Sequence, residues 1–441
     1  MNVHDSSRME EVLGLVGYAR AGSPETSDLI IVNTCSVREK SHEKVLSALG
    51  RYGRLKQAHP GLILAVAGCV AQQEGARLLE RVPALDLVFS PDHIAALPEL
   101  VEQAGERRRV ETGFAEPDEY QFLSARPGRV AGPTALVTIQ KGCDNNCAYC
   151  IVPSVRGPCV SRPRDEILEE LDRLTAAGVR EVTLIGQNVN AYRGSAGTAD
   201  DFVELLRAVD QRWGGRELAR LRFTTSHPKD FHPELPGCFR DLACLCPWLH
   251  LPVQSGSSRV LEAMSRGYTR EQYLVQLRAV RAAYPDVSMG TDLIVGFPGE
   301  TEADFLETIE LLEEAQYDYA YSFKFSPRPG TAAAGLRDEL PEEEKARRLK
   351  HLQQVQDGIT SQRLRSLVGR STEVLIEGPS RKGKPQLCGR DPGNHVINID
   401  DPEGRFAPGD LVPVEIVAAG RHSLSATPIP RQLEVMQCSS R

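Results

Sequence analysis

Short apolar runs alternate with amphipathic stretches over the first hundred residues of the chain. The runs in "SDLIIVNTC", "LILAVAGC" and "LDLVFS" are continuously apolar, which is typical of parallel strands buried on both faces. The stretch "SVREKSHEKVLSALGRYGRLKQ" carries the spacing of a helix. We therefore predict a doubly wound α/β domain over residues 1–105. Cys35 and Cys69 follow two of its strands, at the edge where open α/β sheets bind ligands.

The same alternation returns in the middle of the chain. Residues 106–133 are rich in Gly, Pro and charge, and we predict a linker there. Six candidate strands follow, most of them succeeded by a helical stretch, and these units predict a parallel sheet that curls into a partial β/α barrel. A polar, charged helix at 341–365 completes this central domain of residues 134–365. The six strands are "TALVTIQ", "EVTLIGQN", "RLRFTTS", "LHLPVQS", "VSMGTDLIVGF" and "YAYSFKFS".

The last part of the chain changes to short strands with period-two alternation. "TEVLIEG", "HVINID" and "LVPVEIV" are separated by Gly, Pro and Asp turns, so residues 366–432 are predicted to form a small antiparallel β-barrel. Four basic residues of this domain could contact RNA phosphates, and a solvated loop is the alternative interpretation. These residues are Arg381, Lys382, Lys384 and Arg390.

Composition restricts the setting of this three-domain chain. Of its 441 residues 41% are hydrophobic and 25% are charged, as in an ordinary globular protein. The net charge of −8 argues against wholesale electrostatic capture of nucleic acid, although a local basic patch could still bind it. The chain opens on no charged-then-apolar leader, and its longest apolar stretch is too short to cross a bilayer. We expect a cytoplasmic monomer, and for its eleven cysteines metal or redox chemistry fits better than a disulfide framework. Cys238, Cys244, Cys246, Cys388 and Cys438 are expected to be buried or incidental.

Three of these cysteines stand within eight residues, in "KGCDNNCAYCIVPSVRG". Cys143, Cys147 and Cys150 have the spacing C-x3-C-x2-C directly after the first strand of the predicted barrel. Structural zinc needs four protein ligands, which Cys159 could complete. A [4Fe–4S] cluster on three thiolates instead leaves one iron free for a substrate or cofactor. Tyr149 could then pack on an adenine, or it could simply fill the loop.

Longer strings extend this pattern over nearly the whole chain. They include "NTCSVREKSHEKV", "GCVAQQEG", "CAYCIVPSVRG", "LIGQNVNAY", "TTSHPKD", "DLIVGFPGETEADF" and "FSPRPGT". Together they resemble the radical S-adenosylmethionine (SAM) methylthiotransferases, and "CGRDPGNHVIN" with "PGDLVPVEIV" resembles the TRAM domain that these enzymes use on RNA. The resemblance implies two [4Fe–4S] clusters, SAM, and an electron donor such as flavodoxin or ferredoxin. It also implies methylthiolation at C2 of N6-dimethylallyladenosine beside the anticodon of tRNA.

Rival functions remain open on the sequence alone. Sister enzymes modify threonylcarbamoyladenosine in tRNA or an aspartate of a ribosomal protein, but "TCSVREKSHEKV" and "SHPKD" favour the dimethylallyladenosine activity. A non-catalytic RNA-binding protein with structural clusters belongs to another class. Turnover of SAM to 5′-deoxyadenosine would separate it from an enzyme.

The resemblance also implies roles for individual residues. Cys143, Cys147 and Cys150 would ligate the radical-generating cluster. Residues after four barrel strands would contact SAM, although bare turns could use the same glycines; no further catalytic residue is assigned. The expected SAM contacts are Tyr149, Gly186, Gln187, Asn188, Gln254, Ser255 and Gly296.

At its amino terminus the sequence departs from the family pattern. Cys35 and Cys69 match two of the three cysteines that hold the auxiliary cluster. The third normally lies in a "GCQMN"-like string, whose last two letters correspond to Met1 and Asn2, so we expect that cysteine and a preceding strand immediately upstream. The auxiliary cluster of the chain as written is therefore expected to be incomplete or labile, with Cys159 the first substitute to test.

Overall fold

The amino-terminal domain is a parallel four-stranded sheet with helices on both faces. The computed structural model describes residues 1–36, 39–116, 119–124, 132–194, 201–380 and 385–430. Strands β1 to β4 pair in sequence order, all parallel. The strands are β1 (Leu29–Asn33), β2 (Ile63–Ala67), β3 (Leu87–Phe89) and β4 (Arg109–Glu111); the helices are α1 (Asn2–Leu15), α2 (Glu39–Ala58), α3 (Cys69–Glu74), α4 (Ala76–Arg81) and α5 (Leu97–Ala104).

Strand β2 shows why this part of the chain carries continuously apolar runs. Ala65 and Ala67 lie in a buried cluster with residues of α1 and α5, on one face of the sheet. Leu64 and Val66 lie in a second cluster with residues of α2, on the other face. Because both faces are covered, each position of the strand is apolar. The doubly wound prediction is thus confirmed.

Strand β4 lies inside the range that the sequence assigned to a linker. Arg109–Glu111 pairs in register with β3, and Val110 packs against the cluster that also holds Val88. The prediction of an unstructured linker was wrong for these three residues. An edge strand that is short and flanked by charge gives no periodic signal, and only pairing with β3 defines it.

The central domain contains all six predicted strands. They form two parallel three-stranded sheets, with one isolated bridge, Leu221↔Leu245, between them. This is a partial β/α barrel. Its strands are β5 (Thr134–Thr138), β8 (Glu181–Ile185), β9 (Arg220–Thr224), β10 (Trp248–His250), β11 (Ser288–Val295) and β12 (Tyr319–Lys324), and a hairpin of β6 (Gln140–Lys141) and β7 (Val160–Ser161) follows the first.

Helices connect these strands and cover their outer face. Helices α11 and α12 each begin with a capping box, at Thr269 with Gln272 and at Thr301 with Asp304, which satisfies backbone amides that a helix start leaves open. The helices are α6 (Val152–Arg156), α7 (Arg164–Ala176), α8 (Asp201–Trp213), α9 (Leu235–Asp241), α10 (Ser258–Ala263), α11 (Arg270–Ala283), α12 (Glu302–Ala315) and α13 (Glu342–Arg365). In the part of the chain that the structure describes, no helix combines the length and apolar character needed to cross a membrane.

The carboxyl-terminal domain is a closed five-stranded barrel with strand order β13-β14-β15-β17-β16. The sequence predicted three of these strands and missed β14 and β17, which contain Gly, Ser, Pro and Arg where a strand pattern would be apolar. These two strands have no local sequence signal, and pairing with their neighbours in the closed barrel defines them. The strands are β13 (Ser371–Pro379), β14 (Gln386–Arg390), β15 (Val396–Asp400), β16 (Leu411–Ala419) and β17 (Leu424–Pro428).

Buried polar contacts dock this barrel on the central domain. Arg220 and Arg222 of β9 donate to backbone carbonyls of the barrel, including those of Glu373 and Asp391. His395 of the barrel lies between Asp391, at 2.9 Å, and Asp318 of the central domain, at 3.8 Å. Burial disfavours the charged imidazolium, but these two carboxylates outweigh burial and raise the pKa of His395 to about 9.

This pKa generates a prediction about stability. Because the pKa of His395 is raised in the folded protein, its interactions with Asp318 and Asp391 contribute their full stability below about pH 6.5, the ordinary pKa of His. That contribution is lost as the pH rises through about 9. The contribution is at most about 3–4 kcal/mol. We expect urea unfolding followed by circular dichroism to show this loss between pH 6.5 and 9.5, and His395→Gln to remove it. An identical pH dependence in both proteins would contradict the assignment.

Candidate functional site

The cysteine loop is held at the carboxyl end of β5 by the hairpin that brackets it. Gly142 begins the loop with φ of 75°, and a Cβ built there would lie 1.9 Å from the carbonyl oxygen of Pro158. Cys143 donates its backbone N–H to the carbonyl of Gly157 at 3.2 Å. Only glycine fits this left-handed position and close approach, so residue 142 fixes where the loop departs from the strand.

The donor set of this loop fits a cluster bound by three thiolates. Cys143, Cys147 and Cys150 are all free thiols. Burial raises the pKa of Cys143 to about 11 and that of Cys150 to about 12, so iron would have to displace protons from desolvated thiols. In a [4Fe–4S] cluster each thiolate binds a different iron, and the thiols therefore need not meet at one point.

The zinc alternative required Cys159 beside the triplet. Cys159 accepts a hydrogen bond from the Gln140 side chain at 2.9 Å, and its backbone N–H donates to Asp144 at 2.8 Å. Among the residues that the structure describes, no three His, Cys, Asp or Glu side chains converge as ligands of one metal ion. The geometry thus offers no fourth ligand at zinc distance in the described part of the chain.

Cys147 receives contacts from two residues outside its loop. Arg266 donates through Nη1 to its sulfur at 3.3 Å, and His227 Nε2 lies 3.5 Å from the same atom. Burial, together with the charges of Arg266 and Lys229, lowers the pKa of His227 to about 2. The ring is thus neutral, and because its Nδ1 accepts from the Lys229 backbone N–H, the remaining proton lies on Nε2, facing the sulfur.

The residues after β8 are mostly occupied by contacts within the protein. A Cβ at Gly186 would lie 2.6 Å from the Gln140 side-chain oxygen. Asn188 accepts from the His227 backbone and donates to Asp230 at 2.6 Å. Gln187 accepts from the Gly142 backbone through Oε1, and its buried Nε2 finds no partner in the described part of the chain. Of these three residues, Gln187 is the one with an unsatisfied donor at the rim.

A cavity of about 590 Å³ opens beside the cysteine loop, on the side that faces β11 and β12. Tyr149, Cys150 and Gln254 line it together with apolar Ile294 and Phe323 and with several charged side chains, among them Asp292, Lys324 and Lys345. Gln254 has φ of 79°, and its buried Oε1 has no partner among the described residues. A non-glycine residue in this conformation is uncommon. This acceptor, the Gln187 donor and the free thiols fit a polar cofactor such as SAM at the rim.

Two other residues predicted to contact SAM face the protein interior. The Ser255 hydroxyl lies 3.4 Å from that of Thr308 on α12 and accepts from the Ser257 backbone. The Gly296 N–H lies 3.1 Å from both carboxylate oxygens of Glu300, and a Cβ there would lie 2.6 Å from the Lys345 side chain. Both positions are thus explained by packing, and their contact with SAM stays a prediction.

A second cavity, of about 860 Å³, has a mostly polar lining. Cys143, Cys159, Asn188, Lys229 and Asp230 contribute to it. It lies on the side of the cysteine loop that faces the ends of β8 and β9. Basic and acidic side chains both line it, so its charge is mixed.

Cys35 and Cys69 meet at the carboxyl ends of β1 and β2. A hydrogen bond from Cys35, outweighing burial and helped by Arg156, lowers the pKa of Cys69 to about 6. Arg156 of α6 donates to the Cys69 sulfur at 3.3 Å and to Asp5 at 2.6 Å. The described residues thus supply two thiols for a second cluster, and α6 joins them to the first cysteine loop.

The predicted RNA contacts are only partly described. Arg381, Lys382 and Lys384 lie outside the described residues. Arg390 pairs with Glu377 at 3.2 Å and donates to the Asn394 carbonyl at 3.2 Å. Its charge is therefore already engaged within the barrel, and its role on RNA stays a prediction.

Sequence reasoning gave no role to Arg266, His227 or Arg156. His227 and Arg156 stand in strings that carried the family resemblance, "TTSHPKD" and "CIVPSVRG", and Arg266 stands in "MSRGYT" between two such strings. An arginine or histidine in a loop can equally be a solvated side chain, so the place of these residues in or near the strings was the only signal of a role.

Comparisons with known proteins agree with this geometry. Three family models match parts of this chain: the radical SAM superfamily over residues 137–312, uncharacterized protein family UPF0004 over residues 1–90, and the TRAM domain over residues 365–429. The structure of the radical S-adenosylmethionine methyltransferase TsrM from Kitasatospora setae superposes with a TM-score of 0.55 at 16% identity, covering 75% of this chain and 74% of that one. This likeness supports the fold alone.

Curated relatives cover almost the whole chain. A tRNA-2-methylthio-N(6)-dimethylallyladenosine synthase of Burkholderia vietnamiensis is 47% identical over 433 residues, 96% of this chain and 94% of the relative. The synthase of Paraburkholderia xenovorans is 47% identical over 432 residues with the same coverage. With three cysteines at the barrel rim and two more at the amino-terminal sheet, the chain belongs to the tRNA-2-methylthio-N(6)-dimethylallyladenosine synthase family of radical SAM methylthiotransferases.

Proposed function

We infer that this protein adds a methylthio group to C2 of N6-dimethylallyladenosine beside the anticodon of tRNA. The observation that carries the inference is the three-cysteine loop at the barrel rim, beside a cavity lined by Gln254 with its unsatisfied Oε1, in a chain 47% identical to synthases of that name. A [4Fe–4S] cluster with SAM, when bound there, supplies the reductive cleavage of SAM that starts radical chemistry.

The chain's own residues bind and orient the reactants. Cys143, Cys147 and Cys150 hold the cluster, and Gln187 and Gln254 offer a donor and an acceptor to the polar groups of SAM. Ile294 of β11 and Phe323 of β12 contribute apolar surface to the cavity beside Tyr149. Binding and orienting the reactants there is the protein's share of this chemistry.

The remaining assignments extend this proposal. Cys35 and Cys69 hold the auxiliary cluster, supported by their contact and by the arginine beside them. The carboxyl-terminal barrel binds tRNA, a flavodoxin or ferredoxin supplies electrons, and the protein works as a monomer in the cytoplasm. The match to the TRAM domain supports the tRNA contact.

Loss of any of the three cysteines of the triplet should abolish SAM cleavage. Each of Cys143→Ala, Cys147→Ala and Cys150→Ala removes one cluster anchor. We expect no 5′-deoxyadenosine above background by chromatography after anaerobic reconstitution. Cys388→Ala, in the carboxyl-terminal barrel, is the matched control and should keep full turnover. Normal turnover in any triplet variant would refute the cluster assignment.

Shortening Gln254 should weaken SAM binding without loss of the cluster. Gln254→Asn keeps an amide in a residue that tolerates the left-handed backbone, but withdraws it by one methylene. One lost hydrogen bond to a charged ligand corresponds to roughly tenfold weaker binding, measured by equilibrium dialysis of the reconstituted protein. Gln316→Asn is the matched control, since Gln316 is also a glutamine with positive φ and its amide donates to the Glu313 carbonyl at the end of α12. Equal affinity in the Gln254 variant would remove this residue from the site.

Methylthiolation should require the prenyl group on the substrate adenosine. Each buried carbon contributes about 0.8 kcal/mol, so a buried five-carbon dimethylallyl chain favours modified tRNA by roughly 4 kcal/mol, on the order of a thousandfold. Nucleoside mass spectrometry of tRNA with and without the group measures the ratio. Equal reaction of unprenylated tRNA, or reaction of threonylcarbamoyladenosine or a ribosomal protein, would assign a sister activity instead.

A further inference from the structure

Arg266 is a buried cation with no carboxylate partner in the described part of the chain. Its side chain is 3% exposed, and it forms no ion pair among the residues that the structure describes. A buried charge is costly unless an opposite charge compensates it. The hydroxyls of Tyr149 and Tyr268 and the sulfur of Cys147 lie around this guanidinium. Of these, Cys147 becomes a thiolate when it binds iron.

The guanidinium directs one nitrogen toward the cysteine and fixes itself with the others. Nη2 donates to the Pro252 carbonyl at 2.7 Å, and Nε donates to the Tyr268 hydroxyl at 2.8 Å. Nη1 lies 3.3 Å from the Cys147 sulfur and 3.4 Å from the Tyr149 hydroxyl. The Pro252 carbonyl and the Tyr268 hydroxyl are neutral, so they orient the guanidinium without neutralising its charge. The positive charge therefore acts on the sulfur.

The backbone around Arg266 is built for this reach. Ser265 has φ of 57° and Gly267 has φ of 74°, so the chain turns sharply on both sides of the arginine. The carbonyl of Met264, two residues before Arg266, accepts the Ala148 backbone N–H at 2.9 Å, which joins this turn to the cysteine loop next to Cys147. A non-glycine residue with positive φ indicates a position that the surrounding structure enforces.

We propose that Arg266 is the counter-charge of the radical-generating cluster, a positioning residue that donates to the Cys147 sulfur and raises the cluster's reduction potential. Hydrogen bonds to cluster sulfurs and nearby positive charge stabilise the reduced, more negative state. A higher potential allows a physiological donor to reduce the cluster. This inference rests on the proposed function, because it requires a cluster at the triplet.

The experiment isolates that cluster. Cys35→Ala with Cys69→Ala provides a background in which iron can bind only at the barrel triplet. In this background we compare Arg266→Gln, which keeps a donor but loses the charge, with Arg266→Lys, which keeps the charge but loses the fork. Arg270→Gln is the matched control, since Arg270 pairs with Glu310 and Glu314 of α12. The midpoint potential of each is read from a titration followed by electron paramagnetic resonance, without SAM.

We expect the Arg266→Gln cluster to have a clearly lower potential than its background, Arg266→Lys to lie between, and Arg270→Gln to be unchanged. Unchanged potentials in both Arg266 variants, or an equal shift in Arg270→Gln, would overturn the proposal. If Arg266→Gln does not fold by circular dichroism, Arg266→Lys decides, because one ammonium group cannot reach both Pro252 and Cys147. The proposed function is tested separately, by SAM cleavage in the unsubstituted protein.

Discussion

Buried ion pairs between the amino-terminal domain and the central β/α barrel fix the two cysteine sites relative to each other. Asp92 pairs with Lys141, the residue that precedes Gly142, and Asp5 pairs with Arg156 at 2.6 Å. A third contact joins Arg8 of α1 to Glu170 of α7 at 3.2 Å. Breaking a buried pair by removing one partner costs about 3–5 kcal/mol, so these contacts fix where the domains meet. The position of Cys69 beside α6 follows from them.

The two cysteine sites receive arginines in different electrostatic settings. Arg156 contacts Cys69 but shares its charge with the carboxylate of Asp5. Arg266 contacts Cys147 with no such carboxylate among the described residues. Because net charge and hydrogen bonds to sulfur tune cluster potentials, the fold gives the two sites unequal environments although both use cysteine thiols.

The carboxyl-terminal barrel docks at the opposite end of the strands from the cysteine loop. Arg220 begins β9 and Asp318 precedes β12, and both contact the barrel domain. Cys143 follows the carboxyl end of β5. Strands rise about 3.3 Å per residue, so about 15–25 Å of sheet separates docking surface from rim. A tRNA bound by the barrel domain would extend along the central domain to bring its adenosine to the cavity.

Local sequence determined the elements whose signal is periodic or chemical. Continuous apolar runs predicted β2, repeated strand–helix units predicted the six strands of the central domain, and the spacing of Cys143, Cys147 and Cys150 identified the loop that fits a cluster. The three residues of β4 and the strands β14 and β17 had no such pattern, since pairing with neighbours defines them.

Tertiary structure alone decided which side chains surround the sulfurs. Arg266 reaches Cys147 across 119 positions of the chain, and Arg156 reaches Cys69 across 87. Periodicity describes a residue's neighbours within one element, whereas these contacts depend on how strands and domains pack. The sequence therefore determined which ligands the protein possesses, and packing decided the charges and hydrogen bonds around them.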